Sequence, residues 1–233
     1  MRERIRQRSR SIQAPADAER QDTRLRLLET AGEVFAERGP DAATGLEICQ
    51  RAGVNGAAIN YYFDGMEGLY EAVLLEARGR LPSVEMLSAA VAQSPDAPSR
   101  LRAIIGLVVG VLTGPTTRSW ILRVLMREAV SPSPAAQRLL LEAEGLPKLR
   151  LFRAIVAEIM GLPEDHPAVA QGCVSVFAPC QVMMIIERDM LSRLYPALDL
   201  SPAGAPVMVE RLAAFALGGL AAVAAAERGS GSP

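Results

Sequence analysis

The spacing of apolar residues between residues 23 and 69 predicts three short helices that end in a helix-turn-helix. Apolar side chains recur every three or four positions along the first helix and form one face. These residues are Leu27, Leu28, Ala31, Val34 and Phe35. Asp22 or Thr23 can cap the start of this helix, and Gly39-Pro40 ends it.

The second helix of this group is expected to begin at Thr44. Thr44 and Glu47 stand three residues apart, as in a capping box, where each side chain satisfies a free backbone donor of the other residue. The helix ends at Ala52-Gly53, because glycine tolerates the left-handed conformation that a sharp turn needs.

A third helix is expected over Gly56–Phe63, with Asn55 as its cap. It is too short to be stable alone. We therefore expect Ile59 and Phe63 to hold it against its neighbours, which leaves Asn60 and Tyr61 free to contact another molecule.

The run GLEICQRAGVNGAAINYYFDGMEGLYEAVL resembles the DNA-binding domain of the tetracycline-repressor (TetR) family of bacterial transcriptional regulators. The matching order is Ala52-Gly-Val-Asn55, Ala58-Ile59, Tyr62-Phe63 and Glu67-Gly-Leu69. The AxINYxF pattern and the later segment MREAVSPSPA are similar to the subgroup with a CecR/YbiH-like C-terminal domain. The resemblance implies a helical protein that regulates transcription.

The same resemblance implies which residues contact DNA. At the start of the second helix, Thr44 offers hydroxyl and backbone donors to a phosphate. Asn60 is the expected base reader, since an amide can pair with N6 and N7 of adenine. Tyr61 and Tyr62 are expected to contact phosphates or thymine methyl groups, and the alternative for Tyr62 is a ring packed against the first helix. The positions expected to face the groove are Asn55, Gly56, Ala57 and Asn60.

This sequence departs from the family at several of these positions. Many relatives carry a basic residue at the position of Gly56, a histidine at Tyr62 and a lysine at Met66, and Leu46 stands where a polar or basic side chain often contacts a base. Acidic residues also outnumber arginines from residue 20 to residue 66. The arginines are Arg20, Arg24, Arg26, Arg38 and Arg51, and the acidic residues are Asp22, Glu29, Glu33, Glu37, Asp41, Glu47 and Asp64.

A cluster of arginines precedes this region, at Arg2, Arg4, Arg6, Arg8 and Arg10. We expect residues 1–20 to form a basic, flexible arm. Such an arm can follow phosphates or enter the minor groove, or it can be a solubilising tail. Residues 21–67 are then the DNA-binding domain, and residues 68–233 are a helical effector-binding and dimerisation domain.

Composition supports an all-α fold. Half of the residues are hydrophobic but only 4% are aromatic, and no alternating strand pattern occurs, so the core is expected to consist of closely packed helices. Beyond a fourth helix from Met66 to about Arg80, Pro- and Gly-rich breaks delimit further helical segments. These are approximately Arg100–Thr113, Thr117–Val130, Ala135–Met160, Ala168–Leu194 and Val207–Glu227, and Pro147 and Pro179 are expected to kink or split two of them.

Few residues of the sequence are candidates for catalysis or metal binding. Cys49, Cys173 and Cys180 form neither a disulfide framework nor a set of metal ligands. We expect them to be buried as small hydrophobic residues. His166 lies in a Pro-rich turn with no partner at ligand spacing. With no Ser-His-Asp set and no phosphate-binding glycine loop, the sequence predicts no enzyme, no metal and no cofactor.

The last two segments are apolar on more than one face, so each needs cover on more than one side. The resemblance favours a homodimer in which both chains contribute these two helices; the alternative is that they form the core of a monomer. The apolar run from Leu212 to Ala226 is shorter than the roughly 18–20 residues of a membrane span. With a charged N-terminus in place of a secretory signal, we expect a cytoplasmic protein without a membrane partner.

Residues of the middle segments can line an effector pocket, apolar with a few polar anchors, although such residues are more often simply core. The candidates are Trp120, Arg123, Met126, Arg127, Phe152, Phe177, Gln181 and Met184. Arg123 and Arg127 lie one turn apart and can hold an anionic group, or they can pair with Glu128 or Glu142.

The sequence thus predicts a ligand-responsive repressor that binds a palindromic double-stranded DNA operator as a homodimer. One alternative is a small-molecule-binding protein whose head has weak or lost affinity for DNA. A second is a helical enzyme, for which no paired acid and base can be found.

Overall fold

The computed structural model describes the backbone of residues 2–114, 120–139 and 145–230, and the side chains from residue 19 onward within these ranges, up to residue 229. The chain divides into two compact units, Met1–Ala77 and Arg78–Pro233. Every regular element of the described residues is helical, which confirms the all-α fold.

The N-terminal unit begins with α1, Arg2–Arg38. All five residues of the predicted apolar face are buried, and α1 ends where predicted, because Gly39 takes the left-handed conformation with a φ of 81°. Its start was predicted wrongly. The described backbone is helical from Arg2, well before Asp22, and the Thr23 hydroxyl donates to the Glu19 carbonyl at 2.9 Å, so it does not cap a helix. The separate arm expected over residues 1–20 is thus continuous with α1.

Helix α2, Gly45–Ala52, has the predicted ends. The Thr44 hydroxyl oxygen accepts a hydrogen bond from the Glu47 backbone N–H at 3.3 Å, and Gly53 closes the helix with a φ of 65°. Helix α3, Ala58–Phe63, starts two residues later than predicted. The reason is that Asn55 forms a turn of its own, in which its side-chain oxygen accepts from the Ala57 N–H at 2.9 Å.

Helix α4, Met66–Gly79, buries Leu69, Val73 and Leu74. The Tyr70 ring meets the Phe35 ring of α1 edge-on, with centroids 4.8 Å apart. This packing explains why the N-terminal unit extends to Ala77, beyond the boundary at residue 67 that the sequence analysis drew.

The C-terminal unit contains α5 (Val84–Ala92), α6 (Ala97–Thr113), α7 (Trp120–Val130), the single turn α8 (Pro134–Ala136), α9 (Leu146–Met160), α10 (Pro167–Ile185), α11 (Arg188–Leu194) and α12 (Ala205–Ser230). Its core lies where α6, α9, α10 and α12 pack on one another, with α5 against α6 and α9. The sequence analysis missed α5, which Ser83 caps by accepting from the Met86 N–H at 3.2 Å.

The two prolines behave differently. Pro147 lies in the first turn of α9, where its missing N–H costs nothing. Residues 140–144 lie outside the described residues, so the kink or split expected in the segment Ala135–Met160 stays a prediction. Pro179 lies inside α10, which continues to Ile185. The predicted break is instead at Ile186, whose backbone is extended, and α11 follows it.

Helices α10 and α12 are each long and apolar enough to cross a membrane, judged by length and composition alone. Each buries one side in the core, through residues that include Cys173 of α10 and Ala213 and Leu220 of α12. Large apolar side chains remain exposed on both helices. They are Val174, Phe177, Val182 and Ile185 on α10 and Val207, Phe215 and Val223 on α12.

Candidate functional site

The exposed face of α3 is the candidate nucleic-acid interface. Ile59 and Phe63 are buried and hold the helix in the N-terminal unit, while Asn60 is exposed and Tyr61 keeps 70% of its surface accessible. This arrangement is the predicted one, since residues three and four positions apart share one face of a helix.

The turns around α3 leave polar donors available. The Thr44 hydroxyl oxygen accepts the capping bond, so its O–H can still donate to a phosphate. The Asn55 side-chain oxygen accepts from the Ala57 N–H in a turn that precedes α3, so Asn55 does not cap this helix as predicted. Its amide NH₂ stays available as a donor. Gly56 and Ala57, which follow Asn55, are both exposed.

The sequence left two roles open for Tyr62, contact with DNA or packing against the first helix, and its burial is intermediate between them. Its side chain is half-buried, and its ring stands edge-on to the Tyr61 ring, with centroids 4.7 Å apart. The Phe63 ring is its next aromatic neighbour, at 6.5 Å. The two tyrosines therefore form a pair on α3, in which Tyr61 is the more accessible ring.

Arg24 is a candidate that the sequence analysis did not single out. Its guanidinium carbon lies 5.0 Å from the centroid of the Phe63 ring, which places a cation of α1 beside α3. Such a cation can contact a phosphate next to the groove. Arg24 lies one turn before the buried pair Leu27 and Leu28, and this spacing was the signal that could have placed it on the same side of α1.

Ion pairs engage two other arginines of this unit. Arg51 contacts Glu37 at 2.8 Å and Glu47 at 2.7 Å, and Arg38 contacts Glu47 at 2.9 Å. The hydrogen bond to Glu37 raises the pKa of Arg51 above its usual value. Only one of the two hydrogen bonds of the predicted capping box is therefore described, the one from the Glu47 N–H to the Thr44 hydroxyl oxygen. The Glu47 carboxylate pairs with arginines instead. The N-terminal unit is therefore poorer in available cations than the sequence count alone indicated.

A cavity of about 570 Å³ lies in the C-terminal unit, at the break between α10 and α11. Its walls come from α6, α7, α10, α11 and the segment before α12. The lining residues are Leu112, Leu122, Arg123, Met183, Met184, Ile185, Ile186, Glu187, Arg188, Asp189, Leu191, Ser192 and Leu200.

Two of the charged residues in the cavity wall have structural roles. The Arg188 guanidinium donates to the carbonyl of Leu200 and, at 3.4 Å, to that of Leu112. The Glu187 carboxylate accepts from the Met190 N–H at 3.2 Å and caps α11. Arg123 is exposed, and among the described residues no ion pair or hydrogen bond of its guanidinium is seen.

Comparison with known protein families assigns both units. Residues 27–73 match the family described as bacterial regulatory proteins, tetR family. Residues 97–220 match the C-terminal domain of the HTH-type transcriptional dual regulator CecR, a match that covers more than half of the chain. This protein belongs to the TetR family. Its second unit is of the CecR type, as the resemblance implied.

Solved structures share the fold of this TetR-family protein. The ketosteroid transcriptional regulator KstR2 of Mycobacterium tuberculosis is 18% identical, with a TM-score of 0.60 over 84% of this chain and 93% of that one. FadR from Bacillus subtilis, solved with stearoyl-CoA, is 19% identical, with a TM-score of 0.55 over 81% and 97%. AibR, solved with isovaleryl coenzyme A and operator DNA, is 16% identical, with a TM-score of 0.56 over 84% and 96%. No curated protein matches the sequence.

The cavity of this TetR-family protein differs from the effector pocket predicted from sequence. Of the predicted residues, Arg123 and Met184 line it. Trp120 is buried in α7, Arg127 and Gln181 are exposed away from the cavity lining, and Phe152 pairs with Phe177 at 6.3 Å between centroids. Glu128, an expected partner of the arginines, accepts the Ser133 N–H at 2.6 Å, and Glu142 lies outside the described residues.

The cysteines and the histidine noted in the sequence analysis have structural roles. All three cysteines are free and buried, as expected, and burial raises the pKa of Cys180 to about 11, so its thiol stays protonated at neutral pH. The His166 ring nitrogen Nδ1 accepts from the Ala168 N–H at 3.2 Å and caps α10. Within the described residues, no cluster of three or more His, Cys, Asp or Glu could hold a metal ion.

Proposed function

We propose that this protein binds double-stranded operator DNA as a homodimer, represses a nearby operon and responds to a small-molecule effector. The observation that carries the DNA-binding role is the division of α3, in which Ile59 and Phe63 are buried while Asn60 and Tyr61 point to solvent. A helix of six residues contacts few bases, so two copies on a palindrome supply the specificity that one lacks.

The exposed apolar side chains of α10 and α12 support the homodimer. Phe215 keeps 75% of its surface accessible and Val174 keeps 67%. On α12, Gly218 and Gly219 have open space where a side chain would begin, which allows another helix to approach closely. A second copy that contributes the same two helices gives a four-helix interface. We place this dimer in the cytoplasm, with access to bacterial DNA.

The effector is proposed to occupy the cavity at the α10–α11 break, with Arg123 as its polar anchor. A volume of about 570 Å³ lies within the range of small-molecule sites. Because FadR and AibR were solved with coenzyme A thioesters, stearoyl-CoA and isovaleryl-CoA are the first compounds to test. Effector binding would change the spacing of the two DNA-binding heads, a coupling typically worth about 1–3 kcal/mol.

The pairing of Arg38 and Arg51 with Glu37 and Glu47 favours a second function, a small-molecule-binding protein with weak or lost DNA affinity. A gel-shift titration separates the two. The probe is the promoter upstream of the protein's own coding region, with a coding-region duplex of equal length as competitor. We expect a specific shift that Asn60→Ala weakens at least tenfold. Equal binding to both duplexes would reject the regulator function and leave the ligand-binding one.

A further inference from the structure

We call the exposed surface of α3 and its flanking turns the recognition face. Its chemistry is unusual, because no lysine or arginine occurs between Arg51 and Arg78. The commonest base-specific contact in the major groove joins an arginine or lysine to O6 and N7 of guanine. Helix α3 and its flanking turns cannot make this contact. Any sequence preference of this face must come from other groups.

Two large apolar side chains, on α2 and α3, and the Asn60 amide on α3 are exposed instead. Leu46, in the first turn of α2, keeps 68% of its surface accessible, and Tyr61 keeps 70%. The other apolar residues of α2, Ile48, Cys49 and Ala52, are all buried, so Leu46 is not needed in the core.

The first turn of α2 adjoins α3. A β-carbon on Gly45 would lie 3.2 Å from the Ile59 side chain, and Ile59 immediately precedes the exposed Asn60. Leu46 follows Gly45 directly in the same first turn of α2. An exposed leucine at this place gains nothing from water and cannot bond to a phosphate.

We propose that this face reads A·T base pairs, through apolar contact of Leu46 and Tyr61 with thymine methyl groups and through pairing of the Asn60 amide with adenine. The methyl group is the apolar feature that distinguishes thymine in the major groove. The inference rests on the proposed DNA-binding function and adds the class of base pair that the operator must present.

The test removes one methyl group at a time. A duplex is first selected from a random library by the full-length protein, and deoxyuridine then replaces each thymidine in turn, which deletes the methyl and leaves base pairing intact. Fluorescence anisotropy measures the affinity. We expect about fourfold weaker binding at one or more positions of each half-site, the factor for one buried methyl-sized group.

Leu46→Ala should remove the deoxyuridine penalty at one of these positions, and Tyr61→Ala at another. Leu75→Ala is the matched control, since Leu75 of α4 is also exposed, at 44%, and should keep both penalties. Thermal unfolding followed by circular dichroism checks that each variant is folded.

Selected half-sites that require G·C pairs at the read positions would overturn the inference. So would deoxyuridine substitutions without effect, or penalties that persist in both alanine variants. A library from which no duplex is enriched contradicts the proposed function itself, whereas an enriched duplex that is insensitive to methyl removal contradicts only this inference.

Discussion

The backbone carbonyl of Phe63 lies against the α-carbon of Gly68, in the place that a side chain at residue 68 would occupy. The end of α3 is thereby docked on the first turn of α4. Any β-carbon at this position would collide with backbone rather than with the movable end of a side chain, so the contact fixes how α3 is presented.

We expect Gly68→Ala to lower the free energy of unfolding by about 1–3 kcal/mol, the usual cost of overpacking, and to weaken DNA binding. Gly79→Ala is the matched control in the same helix, because open space surrounds its missing β-carbon; this change should be neutral or slightly stabilising. Urea denaturation followed by circular dichroism measures both variants. Equal effects of the two substitutions would show that the Phe63 contact is unimportant.

Asp96 makes stability depend on pH. Its carboxylate accepts the Ser99 N–H at 2.7 Å at the start of α6, and its hydrogen bonds to Ser99 hold the pKa below the usual value of 3.8. A lowered pKa stabilises the folded state above pH 3.8, and this contribution is lost as the pH falls through the folded-state value.

Asp96→Asn keeps the cap but cannot titrate. We therefore expect the Tm of the natural protein to exceed that of the variant at pH 7, and the difference to shrink at pH 3. Scanning calorimetry at both pH values gives the comparison. A Tm difference that is the same at pH 7 and pH 3 would contradict the titration of Asp96.

The proposed dimer predicts a strong effect of Phe215→Glu on α12, since the interface would bury a charge without a partner. Light scattering after size exclusion should give a monomer mass for this variant and a dimer mass for the natural protein. Val130→Glu, at an equally exposed position of α7, should remain dimeric. A monomeric natural protein that floats with lipid vesicles would instead assign the apolar faces of α10 and α12 to a membrane.

The arginine cluster predicts a role for the N-terminal segment. Deleting residues 1–10 should weaken operator binding and flatten its salt dependence, because each lost phosphate contact removes nearly one unit of slope in log K against log salt. Anisotropy titrations between 50 and 200 mM salt measure the slope. An unchanged slope in the truncated protein would assign these arginines to solubility alone.

Arg123 and Arg127 form a matched pair for the effector site, since both are exposed on α7 but only Arg123 lines the cavity. If a coenzyme A thioester releases the protein from DNA, Arg123→Ala should raise the concentration needed about tenfold or more. Arg127→Ala should leave it unchanged. Equal shifts in both variants would place the anion outside this cavity.

The sequence predicted the ends of α2 and the buried side of α3 because their signals are local. Thr44, Gly53 and the buried spacing of Ile59 and Phe63 each act within a few residues. The cavity was largely missed, because it joins Leu112, Arg123, Arg188 and Leu200 from distant parts of the chain. The predicted break at Pro179 was also misplaced, because α10 continues through it to Ile185. The helix loses one backbone hydrogen bond at this proline, and packing in the core offsets that loss.

The pairing of Arg38 and Arg51 with acidic neighbours bears on how the regulator behaves in a living cell. Few condensed counterions leave a duplex when a head with so little free positive charge docks on it, so the contribution of the head to promoter occupancy depends weakly on potassium. When a bacterium accumulates potassium under osmotic stress, the contribution of the head to promoter occupancy would therefore persist, while any contribution of the arginines of residues 1–10 would decline.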